Sequence, residues 1–272
     1  MSLTTNTTPE ICCFDEDINR VIYRSDEPGP KEHIGKLEII PRRGIIKDFK
    51  DGTNMNENIY ICGASGSGKT TIAREYAANY HRINPNNKIY LITQSYEDNL
   101  PEYCKVWTGK FADTTYNKYL NLEYLGFDYF LNSESIDITK DFFNSLVIFD
   151  DFLYFEGKDK NETELIKNRI ITMIIQILTL GRKVSCSAII TAHLLYERKL
   201  NLLYQSIYCE INKFIFSIKS NRRQLIYVIK TYIGFTNNEI DEIFNFDNKS
   251  FMLTISKDPY FIMSSNKILL KR

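Results

Sequence analysis

The chain is poor in the residues that build structural metal sites. Only His33, His81 and His193 offer imidazole, and none of the six cysteines (Cys12, Cys13, Cys62, Cys104, Cys186 and Cys209) forms a Cys-x-x-Cys pair. No zinc site is therefore expected. Net charge is also lacking, because 34 basic and 34 acidic residues cancel. No global basic field draws the chain onto nucleic acid or an anionic membrane. Any nucleic-acid contact must come from a local patch, or from a ring that concentrates charge in a central pore. Long apolar runs are missing too: the segment from Ile170 to Leu180 is too short and too interrupted to span a bilayer. The first ten residues, MSLTTNTTPE, lack the charged-then-apolar pattern of a signal peptide. These absences lead us to expect a soluble protein of a reducing compartment, with no membrane partner.

What is present is an ordinary globular composition, 272 residues of which 43% are hydrophobic. That length suits one or two domains. Residues 1–56 show no clear periodicity and are punctuated by proline and glycine, as in DEPGPKEH and PRRG. We expect an irregular N-terminal extension there, with Lys36 to Ile40 (KLEII) as a candidate edge strand. Residues 57–272 read as one domain. Strands are expected at Ile59–Cys62, Lys88–Thr93, Ser145–Asp151, Ser185–Thr191 and Lys213–Ile218. Helices are expected after Lys69, from Asn161 to Gly181, around Leu195–Tyr208, over Arg223–Ile233 and over Asn237–Phe244. The Asn161/Glu164 spacing suggests a capping box, and Gly181 a C-cap. Phe251–Ile255 and Tyr260–Met263 flank Asp258-Pro259 and suggest a terminal β-hairpin. Strands alternating with helices argue for an α/β protein with a parallel sheet. Residues 94–143 give no readable pattern.

GASGSGKT, Gly63 to Thr70, fits the phosphate-binding pattern G-x-x-x-x-G-K-[ST] at every defined position, between an expected strand and an expected helix. The glycines permit backbone angles that let successive N–H groups curl around phosphate oxygens. Gly63, Ala64, Ser65, Gly66, Ser67, Gly68, Lys69, Thr70 and Thr71 are thus expected to bind ATP. Lys69 would act as a point charge on the phosphates, and the Thr70 hydroxyl would ligate Mg²⁺. The apolar run SLVIF ends in Asp150 and Asp151. A buried strand ending in like charges needs a cation or water to offset their repulsion. Asp150 is expected in the magnesium shell and Asp151 as the base that activates water, on opposite sides of the strand. His193 falls just beyond the fourth strand, where the crevice of a parallel sheet opens, and is a candidate to sense the γ-phosphate or position water. Arg182 follows the end of a helix and cannot reach its own chain's phosphates; it is a candidate to act on a neighbouring subunit's nucleotide. Its bland alternative is a solvated basic turn favoured by the helix dipole. Arg222 and Arg223 are a second candidate pair, for that role or for phosphates of a nucleic acid.

GASGSGKT, LVIFDD, the helix ending in GRK and SCSAIITAH occur in an order and spacing that resemble the FtsK–HerA superfamily. Within it the chain looks most like the genome-packaging ATPases of large DNA viruses and their virophages. The resemblance spans residues 57–232, and the absence of a large N-terminal domain fits those viral members. It departs from the family where glutamate usually follows the magnesium aspartate, here Asp151, and where glutamine usually ends the fourth strand, here His193. The resemblance implies a RecA-like P-loop NTPase fold of the ASCE type and a ring, commonly a hexamer, threading double-stranded DNA into a capsid. It also implies capsid components as partners and a place in the virion and host cytoplasm. Two other functions use the same loop: a small-molecule kinase, which needs an acceptor pocket and usually an arginine-bearing lid, and a non-hydrolytic nucleotide-binding capsid component.

Overall fold

A computed structural model of the chain describes residues 3–4, 10–13, 21–24, 56–93, 122–132, 136–154, 157–217, 222–244, 250–254, 261–263 and 268–270. The candidate strand at Lys36–Ile40 lies outside them. Three short strands, β1 (Leu3–Thr4), β2 (Glu10–Cys13) and β3 (Val21–Arg24), pair antiparallel in a sheet of their own, ordered β1-β3-β2.

The main sheet holds β4 (Asn58–Cys62), β5 (Lys88–Ile92), β6 (Leu122–Tyr124), β7 (Ser145–Phe149), β8 (Ser187–Ala192) and β9 (Lys213–Ser217), all parallel, in the order β9-β4-β8-β7-β5-β6. β10 (Ser250–Thr254) joins β9 antiparallel, and β11 (Phe261–Met263) and β12 (Ile268–Leu270) extend that edge. The expected hairpin is β10-β11; β12 adds a third strand to it. β4, β7, β8 and β9 are buried at every position, which is why they read as mainly apolar runs. The result is the α/β P-loop NTPase fold that the sequence led us to expect, a mainly parallel sheet flanked by helices.

Alternation along the strands divides the core between two faces. On one face Tyr60, Cys62, Val147, Phe149, Ala188 and Ile190 pack with Ile166, Ile170, Met173, Ile174 and Ile177 of a long helix. On the other, Ile59, Ile61, Ile148 and Ile189 are buried along with Ala73, Tyr76, Ala77 and Tyr80 of α1 (Lys69–Ile83). The segment without a sequence pattern contributes edge strand β6 and two short helices, α2 (Phe127–Asn132) and α3 (Ile138–Asp141).

The long helix, α4 (Lys160–Val184), differs from expectation at both ends. Asp159, not Asn161, is the N-cap: its Oδ1 accepts from the amides of Asn161 and Glu162 at 2.7 and 2.9 Å. Glu162, not Glu164, reaches back, to the amide of Lys158 at 3.0 Å. The cap therefore sits two residues upstream, with the returning bond landing on the amide before the N-cap, because aspartate accepts bonds from following amides as well as asparagine does. At the other end the helix runs past Gly181 and stops at Ser185, whose φ of 54° is left-handed. Gly181 is there for space: an added Cβ would lie 2.5 Å from the carbonyl oxygen of Cys186.

Beyond β8 the chain is irregular to Glu197, then forms a 3-10 turn (Arg198–Leu200) and α5 (Asn201–Glu210). The next helix begins as α6 (Arg222–Val228) and ends as a π turn over Ile229–Ile233. α7 (Asn237–Phe244) follows as expected.

Candidate nucleotide site

β4 delivers the chain to a loop whose shape is set by two left-handed glycines, Gly66 (φ 73°) and Gly68 (φ 89°). Both lie where a side chain is disfavoured. The amide of Ser67 closes the loop on the carbonyl of Ala64 at 3.1 Å, and that of Gly63 ties its start to Ala192 of β8 at 3.2 Å. α1 then begins at Lys69 with Gly68 as N-cap. No side chain caps it, and its first turn holds no acid. Its first amides are therefore open to an external anion, and the helix dipole favours one there. Ala64, Ser65 and Gly66 are exposed.

The acids arrive from β7. The amide of Asp150 continues the ladder to Ile92 at 2.9 Å, and the residue is 4% exposed. Across the sheet, Phe149 pairs with Ile190, so Asp150 stands beside Thr191. The Thr191 hydroxyl donates to Asp150 Oδ1 at 2.7 Å and accepts from the amide of Asp151 at 3.0 Å. One buried hydroxyl thus fixes both aspartates. Thr70 Oγ1 lies 3.4 and 3.5 Å from the two Asp150 oxygens, longer than a strong O–H···O bond. A hydroxyl and a carboxylate facing each other from two elements are hard oxygen donors suited to Mg²⁺.

Asp151 does not continue the strand. Its φ of 50° is left-handed, a conformation that aspartate tolerates better than most residues. This turn, and not strand alternation, separates the two carboxylates, which corrects the expected geometry. Asp151 Oδ2 lies 3.2 Å from His193 Nε2, while its Oδ1 is buried without a hydrogen-bond partner. His193 Nδ1 lies 3.3 Å from Lys69 Nζ, which is also 3.5 Å from the Ala64 carbonyl. An ammonium only donates, so Nδ1 accepts and Nε2 carries the ring proton toward Asp151. Lys69, His193 and Asp151 thereby form one continuous line from the phosphate loop to the proposed base.

Lys69, Thr70, Asp150, Asp151 and His193 are thus gathered in one place. Arg182 is not. It is exposed in the last turn of α4, at the end of the sheet where β8 begins. β8 lies between it and the phosphate loop, about 20 Å at ~3.3 Å per residue. Arg222 and Arg223 are exposed at the start of α6, with the Arg222 guanidinium 4.3 Å from the ring centre of Phe244. Sequence reasoning missed Thr191. A polar residue inside the apolar run SAIITA, one strand over from the aspartates, was the available signal. Among the described residues, no helix is long and apolar enough to cross a membrane.

No family model matches the chain. "Uncharacterized protein V3" of Sputnik virophage is 28% identical over 234 residues, 85% of this chain and 84% of that protein. Among solved structures, the genome-packaging NTPase B204 of Sulfolobus turreted icosahedral virus 2, in complex with AMPPCP, is 15% identical with a TM-score of 0.47, covering 81% of this chain and 99% of that one. The pCW3 conjugation coupling protein TcpA, with ATPγS, is 13% identical with a TM-score of 0.45, covering 80% and 60%. A virophage protein and a viral genome-packaging NTPase are thus among the chains similar to this one.

Proposed function

We propose that this chain hydrolyses ATP with Mg²⁺ and uses the energy to drive double-stranded DNA into a viral capsid, as a subunit of a ring. The observation that carries the reading is the convergence of Lys69, Thr70, Asp150, Asp151 and His193, from three separate segments, on the open N-terminus of α1. A pure nucleotide binder has no need of the second acid. The virophage relative supports a viral setting; virion and host cytoplasm are the compartments proposed with it.

In this reading residues 63–71 cradle the phosphates, and the main-chain amides with Lys69 stabilise charge developing on the γ-phosphoryl oxygens. Asp151 accepts the proton of the attacking water while the bond from the γ-phosphorus to the bridging oxygen breaks and ADP leaves. The line of hydrogen bonds through His193 holds Asp151 toward that water. Mg²⁺, held by Thr70 and Asp150, would neutralise charge on the β- and γ-oxygens. Arg182 acts on a neighbouring subunit's nucleotide, since its own lies at the far end of the sheet. Arg222 and Arg223 are candidates for DNA phosphates. Residues 57–272 carry the whole site, and residues 1–56 form an extension that can contact capsid components.

The test is ATP hydrolysis with and without long duplex DNA. Wild type should be stimulated by DNA, and Lys69→Ala, Asp151→Asn and Arg182→Ala should each lose turnover. Mixing the Arg182→Ala and Asp151→Asn proteins should restore part of it, because some mixed interfaces recover one intact site. No recovery would remove Arg182 from the interface. Phosphate transfer to nucleosides in place of DNA-stimulated hydrolysis would instead indicate the kinase.

A further inference from the structure

The chain just beyond His193 is irregular, yet the carbonyls on either side of that residue are held. The Ala192 carbonyl accepts from the amide of Gly63, at the start of the phosphate loop. The Leu194 carbonyl accepts from the Tyr60 hydroxyl at 2.7 Å. Leu195 accepts from the Tyr208 hydroxyl, and Tyr196 from Gln224 Nε2 at 3.3 Å. The donors come from β4, α5 and α6. Tyr60 is fully buried and Tyr208 nearly so. Their rings meet edge-on with centres 5.8 Å apart, and both lie against Phe214. Burial raises both phenols well above their ordinary pKa, so they remain donors throughout the neutral range.

We infer that Tyr60 and Tyr208 are positioning residues: their hydroxyls hold the 193–196 strap so that the His193 ring stays between Lys69 and Asp151. A ring that hydrogen-bonds two charged partners at 3.3 and 3.2 Å tolerates displacement of only about 0.5 Å. Water-solvated carbonyls on an irregular segment would not impose that; two phenols locked in an aromatic core do. Tyr60 also sits on the strand that feeds the phosphate loop, so one side chain registers the loop against the strap. The inference rests on the reading of His193 as part of a hydrolytic site.

The test uses Tyr60→Phe, Tyr208→Phe and the double variant, each of which removes only hydroxyls and keeps the ring packing. A core substitution that removes no hydroxyl, Ile243→Val, serves as a control for lost stability. Two readouts are needed. The first is nitrogen NMR of the His193 imidazole in the nucleotide-free protein, assigned with His193→Gln. Wild type should show one neutral tautomer with the proton on Nε2, and the double variant a tautomer mixture, with Ile243→Val like wild type. The second is ATP turnover: kcat should fall about fivefold to tenfold per lost hydroxyl with KM changed less than about twofold. An unchanged His193 signal in the double variant, or wild-type kcat despite a changed one, overturns the inference. If wild type hydrolyses no ATP, the hydrolytic reading fails separately, and the tautomer comparison alone decides whether the phenols hold His193.

Discussion

Thr191 shows how much of the site depends on one buried hydroxyl. It donates to Asp150 and accepts from the amide of Asp151, and it is fully buried. Thr191→Val keeps the shape but leaves the Asp151 amide without that acceptor and removes a donor from a buried carboxylate. Each such loss costs about 1–3 kcal/mol. Urea unfolding should therefore show a lower midpoint at an unchanged slope, and turnover should fall because both aspartates shift. Asp151→Asn should lower kcat by about 10²–10⁴, the range of a general base, with nucleotide affinity close to wild type. At this scale the sequence was legible wherever a residue type is dictated by chemistry, as at Lys69, Thr70 and the two aspartates. It was silent where position depends on a neighbouring strand. Thr191 showed in the sequence only as a polar residue in an apolar run, its bond to the aspartates emerging from the β7-β8 register, and the Asp151 geometry only from its positive φ.

Among elements, α4 is the one whose ends can be tested. Asp159→Ala removes the acceptor for two helix amides and should destabilise by about 1 kcal/mol. Asn161→Ala, the cap expected from the sequence, should cost much less. Gly181→Ala places a methyl group 2.5 Å from the backbone oxygen of Cys186, which cannot move without shifting the start of β8. A loss of about 1–3 kcal/mol is expected, measured by thermal unfolding. Apolar periodicity located the body of this helix, because eight buried residues recur along one stripe. Its ends were misread because Asn161 and Gly181 each carry a capping preference that a better-placed neighbour or a packing need overrode. The segment before β7 was unreadable because β6 and its two short helices lie at a sheet edge, where no buried stripe is long enough to impose a period.

For the whole molecule, the aromatic core sets an alkaline limit. Burial raises the Cys62 thiol from its ordinary 9.0 to about 12, and the Tyr80 phenol from 10.0 to about 12. The folded state holds protons that the unfolded chain releases in that range, so stability is full below pH 9 and falls as pH rises toward 12. Melting temperature against pH should be level up to about 9 and decline beyond it, and Tyr80→Phe should lessen the slope. The two-faced burial of β4 and β7 also brings the phosphate loop and the aspartates together at one end of the sheet. Everything proposed for ATP rests on that meeting. Its most direct test is calorimetric binding of a non-hydrolysable ATP analogue, with and without Mg²⁺, to wild type and Asp150→Ala. Wild type should bind much more tightly with Mg²⁺, and Asp150→Ala should lose most of that dependence. Equal Mg²⁺ dependence in both, or no binding by wild type, would contradict a shared ion between Thr70 and Asp150.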